Sequence, residues 1–249
     1  MSAERFFEAC DGVLRRIRET QAESIGEAAT RIADAMAAGG ALHFYDNGHC
    51  PGEPIGRAGG LMGIHPITVS VSVNHPKPPQ HPKPGKAEEE GEGLRRQEEN
   101  GRIAVERSQM RRGDCVIIMS VSGKNPTPVE MALRARERGV AVIAITSLAY
   151  SRSVESRHSS GKRLFEVADV VIDNCGVPGD AMVDIEGIGT KVIPSSGIAG
   201  CYIVWAVVSE LVARLLERGH TPSIYRSVNL PGGPEYNDEV KKTYEKTGI

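Results

Sequence analysis

Two near-continuous apolar runs, DCVIIMS (114–120) and VAVIAITS (140–147), constrain this chain more than any other feature of it. Neither run alternates, so both faces of each must be buried, as happens to the inner strands of a parallel sheet. Between them lies NPTPVEMALRARERG, where Val129, Ala132, Leu133 and Arg136 mark the two faces of a helix. Strand, helix, strand in that order is a right-handed βαβ unit. ALHFYD (41–46), ITVSVSV (67–73) and VADVVIDN (167–174) supply three further strands, the second by its alternation of β-branched residues. Ahead of them, residues 3–20 and 22–38 carry apolar side chains at three- and four-residue spacing. They read as a helical hairpin (1–38) that Gly39-Gly40 ends. The last long helix spans about 195–217 and stops at Gly219.

The rest of the chain is polar. NHPKPPQHPKPGKAEEEGEG (74–93) has no periodicity and reads as a flexible loop. Residues 220–249 read as an extended polar tail. No composition break separates two cores, so residues 1–249 are expected to form one domain. Thirty Lys+Arg against 32 Asp+Glu, with 4% aromatic residues, argue against a partner such as nucleic acid or anionic lipid. The charged start MSAERFFEACDG and the absence of any apolar run of about 20 residues argue against secretion and against a membrane span. Five scattered cysteines without a CxxC pair indicate neither a disulfide framework nor a zinc ribbon. A cytoplasmic location is expected.

The clearest chemistry lies in IIMSVSGKNPTPVE (117–130). A buried strand delivers Ser120 and Ser122 to its carboxyl end, and Gly123 permits a tight turn. Asn125 stands where it can cap the next helix, with Pro126 at the first helical position. Two hydroxyls, backbone N–H groups, Lys124 and a helix N-terminus therefore converge on one spot, an arrangement suited to phosphate or carboxylate. An ordinary helix cap with solvated serines would share this pattern.

The run GDCVIIMSVSGKNPTPVEMALRARERGVAVIAITS (113–147) resembles the core of the sugar isomerase (SIS) domain family. ALHFYDNGHCPGEPIGRAGG (41–60) is similar to that family's first strand and phosphate loop. SRHSSGKRL (156–164), ADVVIDN (168–174) and GDAMV (179–183) resemble a branch often described as phosphoheptose-isomerase-like. The resemblance implies a flavodoxin-like, three-layer α/β/α sandwich around a five-stranded parallel sheet. It also implies a sugar phosphate held by Ser120, Ser122, Gly123, Lys124 and Asn125, and a homo-oligomer, dimer or tetramer. Cys50 stands where relatives often have serine, and on that ground counts among the phosphate-binding residues.

Isomerising a phosphosugar needs a base for the C1/C2 proton and an acid for the oxygens. Phosphoheptose isomerases place a glutamate four residues before an arginine after the first strand, and Glu53 and Arg57 reproduce that spacing. Glu53 is thus the expected base. The same enzymes carry Gln and His on the last long helix, and this chain has neither between Ser195 and Gly219. His49 and His158 are the substitutes the sequence offers. Glu130 reads as a helix-dipole carboxylate. Asp173, Asn174 and Asp180 follow a strand end, where they are placed for sugar hydroxyls. Ser195 and Ser196 read as N-caps. No organic cofactor and no metal is expected. The resemblance implies an aldose–ketose sugar-phosphate isomerase; a non-catalytic phosphosugar sensor and a phosphosugar lyase or etherase are the alternatives.

Overall fold

A computed structural model describes residues 1–50, 52–76, 78–81 and 85–249. It begins with α1 (Ser2–Thr20) and α2 (Ala22–Ala37), the hairpin anticipated from periodicity. Then come β1 (Leu42–Asp46), β2 (Ile64–Pro66), α3 (Lys86–Arg107), β3 (Cys115–Met119), α4 (Pro126–Glu137) and β4 (Ala141–Thr146). The short α5 (Leu148–Arg152) leads to β5 (Val170–Asp173), a small hairpin of β6 (Ala181–Asp184) and β7 (Lys191–Pro194), α6 (Ser196–Glu217) and α7 (Gly233–Thr247).

Five strands form a parallel sheet in the order β2-β1-β3-β4-β5. Each inner strand alternates its side chains between two cores. Leu42 and Phe44 of β1, Cys115, Ile117 and Met119 of β3, and Ile143 and Ile145 of β4 face α1, α2 and α6. Val116 and Ile118 of β3 and Val142 and Ala144 of β4 face α3 and α4. That is why the central runs show no polar alternation: both sheet faces are covered, and each buried Val or Ile contributes about 1.5–3 kcal/mol. The result is the three-layer α/β/α sandwich. All five strands end on one edge, and the order reverses between β1 and β3, where ligands of open α/β sheets bind.

Four expectations need correction. The strand expected over 67–73 is β2 at 64–66 instead. The ladder runs through Pro66 to Ile67, whose N–H donates to Phe44 O (2.8 Å), and Ile67 and Val69 lean on the second core, but 68–73 pairs with no strand among the described residues. Residues 86–93, expected within a flexible loop, are the first two turns of α3; Lys77 and 82–84 of that loop lie outside the described residues. Only Gly101, Ala104 and Val105 of α3 are buried, so it lacks the wide apolar stripe that would reveal it. The 220–249 tail ends in the helix α7. Asn125 occupies the N-cap of α4 but makes no capping bond through its side chain.

α6 is long and apolar enough to cross a membrane, yet it is a core helix. Ile203, Val207, Leu211 and Leu215 are fully buried, while Arg214 donates to Thr30 Oγ1 (2.8 Å) and Arg218 pairs with Asp34 (2.7 Å), both on α2.

Gly101 lets α3 approach α4 closely. A Cβ there would sit 2.6 Å from the Thr127 carbonyl oxygen and 2.9 Å from Glu130 Cβ. Gly93, on the same helix, has no atom within 4 Å of such a Cβ. In urea unfolding, Gly101→Ala is therefore expected to cost about 1–3 kcal/mol. Gly93→Ala is expected to gain about 0.5–1 kcal/mol. The same sign for both would refute this account of the α3–α4 contact.

Candidate functional site

At the carboxyl edge, the turn after β3 is tied down from behind through its carbonyls. Val121 O accepts from Thr146 Oγ1 (2.9 Å) and from the Ser147 N–H (2.9 Å). Ser122 O accepts from Ser151 Oγ (2.8 Å), Gly123 O from the Leu164 N–H (2.8 Å), and Lys124 O from the Arg157 N–H (2.9 Å). Gly123 adopts φ +57°, and a Cβ there would lie 3.0 Å from Ser151 Oγ and 3.2 Å from Thr146 Oγ1, so only glycine fits. With four carbonyls turned inward, the N–H groups of Ser122, Gly123, Lys124 and Asn125 donate to no acceptor among the described residues. Adjoining them are the N-terminus of α4, the half-buried Ser122 and the Lys124 ammonium, which has no carboxylate partner among the described residues. Successive free amides at a helix start form an anion-binding concavity.

The first loop lies across the crevice. β1 and β3 pair in register, Asp46 beside Met119. The Asp46 carboxylate accepts the N–H groups of His49 (2.9 Å) and Cys50 (2.9 Å), which folds the loop back. His49 Nε2 then accepts the Val121 N–H at 3.4 Å. That bond leaves Nδ1 as the protonated nitrogen, 3.2 Å from Ser196 Oγ, and Ser196 Oγ in turn donates to Asp180 Oδ2 at 2.6 Å. Asp180, Ser196 and His49 thus form one chain of hydrogen bonds that reaches the β3 turn.

Ser195 and Ser196 stand at the start of α6 as expected, but neither caps it through its own side chain. Both hydroxyls go to Asp180, whose Oδ1 also takes the two backbone N–H groups (3.1 and 2.9 Å). Sequence separation hid this: Asp180 and Ser196 meet because the β6–β7 hairpin pairs Ala181 with Pro194. Thr146, Ser147 and Ser151, which hold the turn, also escaped the sequence reading. Their only signal is hydroxyl density after an apolar strand. Asn174 at the end of β5 accepts the Gly176 N–H through Oδ1 (2.9 Å), while its Nδ2 is the only buried side-chain N or O atom without a partner among the described residues.

The remaining expected site residues separate. Ser120 is buried, and its N–H continues the ladder to Ile145 O (3.0 Å). Glu53 is about one-third exposed and 3.8 Å from Arg57, so the anticipated spacing yields a loose pair in the same loop as His49. Cys50 is corrected: its thiol turns into the core, 3.3 Å from Met119 Sδ. Burial, with Asp46 and Cys201 nearby, pushes its pKa up to about 12, so it is a packing group and not a phosphate ligand.

His158 is corrected as well. Its Nδ1 accepts the Ser160 N–H (3.0 Å), and its Nε2–H donates to Glu130 Oε2 (2.9 Å), with both side chains more than nine-tenths buried. With both ring nitrogens occupied, it latches the 156–161 loop onto α4, behind the turn. Glu130 is likewise more than a dipole carboxylate, since Arg134 also donates to it (2.8 Å). Among the described residues, no three His, Cys, Asp or Glu side chains gather as metal ligands would.

The SIS domain family model matches residues 5–147, which include the first loop and the β3 turn. This chain belongs to the SIS domain family. It is 36% identical over 245 residues to a UPF0309 protein of Shouchella clausii, covering 97% of this chain and 96% of that one. It is 37% identical over 236 residues to a UPF0309 protein of Oceanobacillus iheyensis, covering 93% and 92%. Among solved structures, phosphoheptose isomerase from Neisseria gonorrhoeae superposes with a TM-score of 0.51 at 15% identity, over 85% of this chain and 95% of that one. A phosphoheptose isomerase from Francisella tularensis gives the same TM-score at 12% identity, over 86% and 96%. These two likenesses bear on the fold.

The latch in this SIS chain is testable through pH. Burial pushes the Glu130 carboxyl up, but the hydrogen bonds from Arg134 and His158 outweigh it and hold its pKa below the ordinary range. A lowered folded pKa gives stability that is complete above the unfolded value of about 4.3 and is lost as pH falls through the folded one. Glu130→Gln is therefore expected to lose about 1–3 kcal/mol at pH 7. That gap to the parent should close as pH drops below about 4. A gap independent of pH would show that the Glu130 charge contributes nothing.

Proposed function

We propose that this chain binds a sugar phosphate in the turn of residues 120–125 and interconverts its aldose and ketose forms. The observation that carries the reading is the set of four backbone N–H groups left free by the inward-turned carbonyls. A dianionic phosphate gives each of them an acceptor, and Ser120, Ser122 and Lys124 add hydroxyl and ammonium donors. The family membership and the likeness to two phosphoheptose isomerases agree with a phosphosugar as ligand.

The reaction needs a proton moved between two carbons and another between two oxygens. Glu53, at the mouth of the first loop, takes the C2 proton of the open-chain aldose, and the C2 electron pair forms the C1–C2 double bond of an enediol. His49 Nε2 takes the proton of the O2 hydroxyl and passes it to O1, where the charge from the C2 proton has arrived, so the imidazole ends neutral as it began. Glu53 returns its proton to C1, which leaves the ketose and the unchanged enzyme. The chain lacks an imidazole on α6, but the N-terminus of α6 holds one: Ser196, anchored on Asp180, fixes the His49 tautomer with Nε2 as the proton acceptor. The long bond from the Val121 N–H is the one His49 releases when substrate enters.

Calorimetry and a coupled turnover assay with hexose and heptose phosphates test this. Ser120→Ala with Ser122→Ala is expected to weaken phosphosugar binding about a hundredfold, as befits two lost charge-assisted hydrogen bonds. Glu53→Gln should bind as the parent does and turn over at least about a hundredfold more slowly. Unchanged affinity in the serine variant would remove the turn as the site. Binding by the parent without turnover of any phosphosugar would leave a sensor.

A further inference from the structure

A second group of ionisable side chains lies away from that crevice, toward the amino-terminal ends of β1 and β3. Along β1, Leu42 and Phe44 face one core and Tyr45 the other, so His43 stands on the α3 side, where the neighbouring strands place Val and Ile. Its register partner on β2 is also a histidine, His65, with the rings 5.8 Å apart. α3 lies against α4 and leaves the β1–β2 edge of this sheet face open. The two imidazoles therefore line a cavity of about 770 Å³, bounded by residues 66–71 and the end of α3.

The polar groups of this cavity are held from behind. Asp114 accepts the Ala41 N–H through Oδ1 (2.9 Å), and through Oδ2 the Arg111 N–H (2.9 Å) and His43 Nε2 (2.9 Å). Its charge is thereby compensated within the protein. His65 Nε2 meets the Tyr244 hydroxyl of α7 at 2.8 Å. The Nδ1 atoms of His43 and His65 make no hydrogen bond among the described residues, and that of His43 stays accessible although the residue as a whole is buried. The Arg107 guanidinium, on the rim, has no carboxylate partner among the described residues. Ile67, Val69 and Ile103 give the wall an apolar stretch, beside the polar Thr68, Ser70 and Ser108.

A buried histidine at a core position is costly unless its nitrogens are used. A cavity of this size with an apolar wall and a few oriented polar groups is the usual form of a small-molecule site. We propose that it binds a small organic anion with an apolar body, either a carboxylate or a phosphate ester. Arg107 pairs with the charge, His65, whose Nε2 accepts the Tyr244 hydroxyl, donates its Nδ1–H to the anion, and Ile67, Val69 and Ile103 cover the apolar body. This site is separate from the phosphosugar turn and does not rest on the isomerase reading.

Calorimetry with benzoate and with phenyl phosphate tests the proposal. Saturable one-to-one binding of at least one probe is expected, and the Ser120→Ala, Ser122→Ala double variant should retain it in full. Arg107→Ala and Thr68→Trp, at exposed positions on the cavity rim where the fold tolerates change, should each weaken it about tenfold or more. The tryptophan adds bulk at the cavity rim without changing its charges. Three results would overturn the proposal: no saturable binding of either probe, binding lost in the double serine variant, or binding unaffected by both rim variants.

Discussion

The site depends on one constraint: the carbonyls of residues 121–124 all accept hydrogen bonds from behind. Two buried hydroxyls, Thr146 and Ser151, and the backbone of 147, 157 and 164 supply the donors. A tight turn whose carbonyls point inward must aim its amides outward, and Gly123 is the position where the chain has to take a left-handed φ to do so. The surface proposed to bind the anion is thus set by the packing of β4, α5 and the 156–164 loop, with Glu130 and His158 holding that loop in place. A charge buried in such a latch stabilises only while both partners stay paired, so the latch and the turn stand or fall together.

The second half of the site comes from a different set of forces. Parallel pairing of β1 with β3 puts the first loop beside the turn, at the point where strand order reverses. Asp46 folds that loop inward. The hairpin β6–β7, remote in sequence, brings Asp180 onto the start of α6, where its carboxylate takes the backbone N–H groups of Ser195 and Ser196 and both hydroxyls. One carboxylate therefore caps a helix and fixes a histidine tautomer through a single serine. Electrostatics at the helix start and the proton transfer proposed for His49 share the same group.

Much of this was legible in the sequence where burial on two faces left no choice. The runs that became β3 and β4, the helix between them and the hairpin of α1 and α2 follow from periodicity. The Ser-x-Ser-Gly turn followed from its place after a buried strand. α3 was not legible, because its hold on α4 comes from a glycine contact and the Thr127 Oγ1 hydrogen bond to Gln97 O rather than a wide apolar stripe. The 67–73 segment misled because it keeps the alternation of a strand and, beyond Ile67, pairs with no strand among the described residues. Cys50 misled because position in a loop does not tell which way a side chain turns. His158 and Glu130 were each visible, but their pairing across 28 residues was not. The Asp180–Ser196–His49 chain joins three segments that only the folded hairpin brings together.

Backbone amide resonances followed by NMR, as a hexose or heptose phosphate is titrated into the labelled protein, test the central claim most directly. The account predicts that the amides of Ser122, Gly123, Lys124 and Asn125 shift together and saturate at one affinity, with the Val121 amide moving as His49 lets go. Saturable binding that leaves those four amides in place and moves others would contradict it.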